Sequence, residues 1–82
     1  MRLKTIIELT SAARRRAETA GLATQLDRLS LGEWARKGDF VELAGRDETI
    51  VFMIRARRIR VDANDMQTLV FELDHPPRPA VR

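Results

Sequence analysis

The densest chemistry in this chain is a run of guanidiniums, Arg55, Arg57, Arg58 and Arg60, with no acid between Glu48 and Asp62 to interrupt them. Strand side chains alternate between two faces, so such a run can offer a row of cations to the phosphates of a nucleic acid. Phosphate contacts supply affinity without sequence choice. The plainer reading is a solvated sheet face, neutralised by Glu72 and Glu42 on neighbouring strands. Sheets that bind nucleic acid usually add exposed aromatic rings for base stacking. The aromatics here are Trp34, Phe40, Phe52 and Phe71, and the last two belong to the apolar alternation. The charge footprint is present and the stacking platform is missing.

The other polar groups carry less. Arg14, Arg15 and Arg16 are consecutive, so on a helix they spread around the axis as solvated surface. Asp62-Ala63-Asn64-Asp65 opens like a calcium loop but fails further on: Gln67 stands where the loop needs Gly, and Leu73 where it needs Glu. It reads as a hairpin turn. His75 is the single histidine and stands before Pro76-Pro77. With no Cys in the chain, one His makes no zinc set. Ser11 and Ser30 are better explained as helix caps than as nucleophiles, and the glycines are scattered with no phosphate loop. The expectation is a protein without catalytic residues, cofactor, metal or small-molecule substrate.

The elements that position the arginines follow from periodicity. In residues 2–9, Leu3, Thr5, Ile7 and Leu9 alternate with Arg2, Lys4, Ile6 and Glu8, which favours a strand; Leu3, Ile6, Ile7 and Thr10 also fit a helical stripe. Residues 11–29 read as helix, capped by Ser11 and stopped by Gly21, with a second short piece starting near Thr24. Ser30 and Glu33 form a capping box that predicts a further helical turn through Trp34 to Lys37, ended by Gly38. Trp34 is expected to anchor that turn over the sheet.

From Asp39 the period changes to two, giving strands at Phe40–Leu43, Thr49–Val61 and Met66–Asp74 joined by turns. The fold class is therefore α+β: helical segments packed on one face of a small antiparallel β-meander of three C-terminal strands, with a fourth strand at the N-terminus. Ile50, Phe52, Ile54, Leu69, Phe71 and Leu73 are the expected core. Residues 1–74 make one domain, and the Pro-rich residues 75–82, including Pro76-Pro77-Arg78-Pro79, make a flexible tail.

The long strand contains a slip. Ile50, Phe52, Ile54 and Ala56 share one parity, while Ile59 and Val61 carry the apolar signal at the other. One extra residue restores the phase, so a β-bulge is expected around Arg57-Arg58, facing Val70. Ile59 then pairs with Leu69, Ala56 with Phe71 and Arg55 with Glu72, and all four arginines, Arg55, Arg57, Arg58 and Arg60, gather on the face away from the helices.

The whole chain limits the choices. At 82 residues it is one small domain with a thin stability margin, and without Cys it has no disulfide to reinforce it. At 44% hydrophobic it is too apolar for a disordered chain. Its net charge is only +3, because 12 acids offset 15 bases. Thirteen of those bases are Arg, a bias that points to a GC-rich bacterial genome before it points to nucleic acid. No signal peptide or membrane-length apolar run is read, so the expected location is the cytoplasm. Two partner classes follow: a protein-interaction or structural module, binding an unknown protein or itself, and alternatively a nucleic-acid-binding module using residues 55–60.

Overall fold

β-branched and aromatic residues at alternate positions dictate the longest element, a strand at Thr49–Val61, around which the rest of the chain is arranged. In the computed structural model, residues 4–45 and 47–77 are described. They form β1 (Lys4–Leu9), α1 (Ser11–Ala20), α2 (Ala23–Asp27), β2 (Phe40–Ala44), β3 (Thr49–Val61) and β4 (Gln67–Asp74). The class is α+β, with the helices on one face of a four-stranded sheet ordered β1-β4-β3-β2.

The meander is present, since β2–β3 and β3–β4 pair antiparallel. The sheet as a whole is mixed, because β1 is a strand that runs parallel to β4, with Ile7 opposite Phe71 and Leu9 opposite Leu73. The chain leaves β1 through both helices and a long connection before it enters the sheet again at the opposite edge. Parallel neighbours require such a crossover.

The cap of α1 lies one residue before the expected one. Thr10, in extended conformation, is the N-cap, and its Oγ1 accepts from the Ala13 N–H at 3.2 Å. Ser11 is already helical and exposed. The same Thr10 hydroxyl donates to Asp74 Oδ1 at 2.7 Å, tying the helix start to the end of β4. Gly21 stops α1 in the left-handed region, φ 73°. The Leu22 N–H then bonds the Ala17 carbonyl and the Gly21 N–H bonds the Glu18 carbonyl, a Schellman closure that folds Leu22 into the core.

The helix expected through Lys37 is absent. Residues 28–39 carry only turns, with Ala35 N–H to Gly32 O at 3.1 Å and Arg36 N–H to Asp39 Oδ2 at 2.9 Å. The capping box at Ser30 and Glu33 loses to a tertiary demand. This segment must cross from α2 to the far edge of the sheet, and extended chain covers about twice the distance per residue that helix does. It ends by docking on β3, where Gly38 N–H bonds Ile54 O and Ile54 N–H bonds Asp39 O, both at 2.8 Å.

The core lies between the helices and one sheet face. Ile50, Phe52, Ile54, Leu69, Phe71 and Leu73 are all buried there, as expected, beneath Ala13, Ala17, Leu22, Leu26, Leu31 and Ala35. The packed domain runs past residue 74. His75 is half-buried, with its ring edge-on to Phe52 at 5.7 Å. Of the expected tail, residues 78–82, together with Arg46 of the expected turn, lie outside the described residues.

Candidate interaction surface

The bulge exists, but two positions earlier than expected. Ile54 pairs with Leu73 and Ala56 with Glu72, so Arg55 is the extra residue. Ile59 does pair with Leu69, whereas Phe71 faces Arg57 instead of Ala56. This relocation divides the arginines. Arg58 and Arg60 lie on the face away from the helices, opposite Val70 and Thr68, and Arg55 reaches Glu72 on that face. Arg57 shares the parity of Phe71 and projects on the helix side, where its Nη2 donates to the Glu33 carbonyl at 3.3 Å. The expected row of four is thus three on one face and one on the other.

The three are not free. Arg58 Nη2 donates to Glu8 Oε1 at 2.7 Å and Arg60 Nη2 to Glu8 Oε2 at 3.0 Å, so one carboxylate bridges both. These two guanidiniums hold the Glu8 carboxyl below its ordinary value. Arg55 Nε lies 3.8 Å from Glu72 Oε1, as the Glu72 expectation required, while Glu42 sits opposite Val51 and makes no ion pair among the described residues. Glu8 is the acid that sequence reasoning missed. It comes within reach only because β1 lies beside β4, which no local pattern announces. To meet Glu8 the Arg58 side chain crosses β4, where Val70 stands between Arg58 and Ile6. Val70 is fully buried although no helix covers its face. Long arginine stems readily cover apolar surface in this way. Across the open face, Lys4, Arg55, Arg58 and Arg60 are matched by Glu8, Glu42, Glu72 and Asp74.

The second basic cluster is also dispersed. Arg14 and Arg15 are exposed, and Arg16 is paired with Glu48, which ties α1 to the start of β3. The Asp62–Asp65 segment is the expected hairpin turn: Asp62 Oδ1 accepts from Asn64 and Met66 N–H, and Asp65 takes φ 62°. No cluster of metal-ligating side chains occurs among the described residues, and no described helix is long and apolar enough to cross a membrane.

The exposed apolar residues are more informative. Trp34 does not anchor the core; it is 75% exposed, and the neighbouring Ala35 takes the buried position instead. Its indole lies across Gly32, where any side chain would collide with it. With Phe40, 60% exposed, it borders a groove of about 280 Å³ floored by Leu31, Ala35, Val41 and Ile54. Further along the same margin of the sheet, Ile59 and Val61 project from β3, and Met66 stands at the hairpin tip, all exposed. Between the two apolar groups, Arg57, Arg36 and Lys37 share a depression with Glu33. No protein-family model, curated protein or solved structure matches this chain.

Proposed function

We propose that the chain is a small cytoplasmic module of bacterial origin that works by binding another protein and catalyses nothing itself. The observation that supports this most directly is the gathering of Trp34, Phe40, Ile59, Val61 and Met66, all exposed, along the sheet margin formed by β2, residues 28–39 and the outer half of β3. Scattered single apolar residues on a surface need no explanation, but an exposed Trp beside an exposed Phe over an apolar groove has the composition of an interface centre. The arginines lend less to a nucleic-acid reading than their number suggests, since Glu8 and Glu72 already engage three of them.

Site-specific photo-crosslinking in cells tests the proposal. A crosslinking amino acid placed at Trp34 or Val61 is expected to yield a discrete protein adduct, and the same group at the exposed Arg15 is expected to yield none. Adducts dominated by nucleic acid, or protein adducts independent of position, would overturn it.

A further inference from the structure

β3 is longer than its partner on one side. β2 pairs with it only as far as Phe40 opposite Met53, and the last backbone bonds on that side join Ile54 to Gly38 and Asp39. From Arg55 to Val61 the strand has β4 on one side and, among the described residues, no strand on the other. Seven residues of strand are about 23 Å of unpaired backbone. Proteins guard such edges with charge, proline, or a covering segment. Here the guards are weak. The Arg58 and Arg60 guanidiniums are drawn toward Glu8, across β4 and away from the edge. There is no proline in the segment, and of residues 28–39 only the Glu33 carbonyl bonds to it, at Arg57, with Arg36 and Lys37 beside that side chain. The helix-side face of this arm presents Arg57, then Ile59 and Val61, more than half exposed.

The charges say what fits. At the base of the arm three cations, Arg57, Arg36 and Lys37, and one acid, Glu33, line one depression, and none of the three cations has an ion pair among the described residues. A second copy of the chain fits poorly. Two arms pairing antiparallel about a two-fold axis set the unpaired Arg57 against Ile59 when the axis passes through Arg58, or against Val61 when it passes through Ile59, and so offer it no carboxylate. Resting on the reading of this margin as a protein-binding surface, we propose that the free edge of β3 at 55–61 accepts an extended segment of a partner protein by antiparallel strand addition. That segment carries apolar residues at i and i+2, opposite Val61 and Ile59, and a carboxylate at i+4, opposite Arg57. Main-chain bonds supply the affinity, and the two apolar contacts with the cationic base select the sequence.

The test uses the full chain and a fluorescently labelled peptide, Ser-Val-Thr-Val-Thr-Glu-Glu-Ser, followed by anisotropy and by amide shifts. Saturable binding with shifts concentrated in 56–61 is expected. Asp62 N–H bonds Met66 O, so the backbone groups of Ile59 and Val61 are the ones that face the free edge. N-methylation of the second valine, opposite Ile59, removes a backbone donor and is expected to weaken binding about tenfold, the equivalent of one lost hydrogen bond with its steric penalty. Replacing both Glu by Lys in the peptide, or Arg57→Glu in the protein, is expected to weaken it by a similar factor. The N-methyl control lies in the peptide, so its result does not depend on whether a protein variant folds. Three outcomes overturn the proposal: no binding at millimolar peptide, binding indifferent to N-methylation, or shifts centred on Trp34 and Phe40. Dimerisation of the free chain that Ile59→Lys abolishes would also overturn it, by naming a second copy as the occupant. Crosslinking from Trp34 that persists when the peptide fails would remove the strand-addition site alone and leave the protein-binding surface standing.

Discussion

Ile54 and Ile59 are the same residue type on the same strand and the same face of the sheet, yet Ile54 is fully buried and Ile59 is 54% exposed. Their separation is odd, which an unbroken strand forbids for residues sharing a face; the extra residue at Arg55 permits it. At Met53 and Ile54, β3 has a strand or docked chain on both edges, and helices cover the Ile54 face. Beyond Arg55 it has one neighbour, and Ile59 and Val61 stand outside the helical cover. Alternation therefore states which face a residue takes, and only the neighbouring elements decide whether that face is buried.

The widest separation between the two halves is expected in stability. Ile54→Ala removes a packed core side chain and should cost ~2–5 kcal/mol. Ile59→Ala gives up area already half in water and should cost about 1 kcal/mol or less. Urea midpoints of the two variants measure the contrast directly. Equal losses would mean that the outer half of β3 is covered by something as constant as the helices.

Thr10 tests what holds the cover over the inner half. Thr10→Ala deletes both the cap on α1 and the bond to Asp74, and should cost ~1–2 kcal/mol. Ser11→Ala should be nearly silent, because its hydroxyl caps nothing and its side chain is exposed. If thermal melts reversed this order, the cap would belong to Ser11.

The junction itself can be removed. Deleting Arg55 should abolish the bulge and leave every pair from Ala56–Glu72 to Val61–Gln67 in place, since each residue beyond it already faces its present partner. The expected change in stability is about 1 kcal/mol or less, the scale of one exposed ion pair with Glu72. Cross-strand NOEs between Ile59 and Leu69 should survive the deletion, and their loss would place the extra residue elsewhere.

The parity change along β3 made the bulge legible, and with it the Ile59–Leu69 pair and the six-residue core. Its position was not legible, because an extra residue at Arg55 and one at Arg57-Arg58 restore the phase equally well. The choice depends on whether Ala56 or Arg57 takes the covered face beside Phe71, and it is Arg57, whose long side chain reaches out to the Glu33 carbonyl. Trp34 was misplaced for a related reason. Size alone favours burial, but the segment's route across the sheet gave Ala35 the inward position and left the larger neighbour outside. Local signals such as the Gly21 stop and the Asp62 turn were legible because they are satisfied within a few residues. The parallel seat of β1, and hence the role of Glu8, was decided by elements some sixty residues away in sequence.

Glu8 gives the smallest expected effect and the sharpest check on the open face. Its carboxylate is shared by Arg58 and Arg60, both about half exposed, so Glu8→Gln should lower stability by less than about 1 kcal/mol at neutral pH. The pH dependence has a definite sign. The folded carboxyl titrates below its ordinary value of 4.5, so the folded state binds the proton less readily than the unfolded chain does. The stabilisation is complete above that ordinary value and is lost as pH falls through the lowered one. The gap between wild type and Glu8→Gln in urea midpoint should therefore be constant from neutral pH down to about pH 5 and close on further acidification. It should also narrow with added salt, as an exposed pair does. A gap that widens in acid would mean that Glu8 is held protonated in the fold. The arginine stems would then lose the anchor that holds them over Val70, and the edge of β3 would regain the charges that guard it.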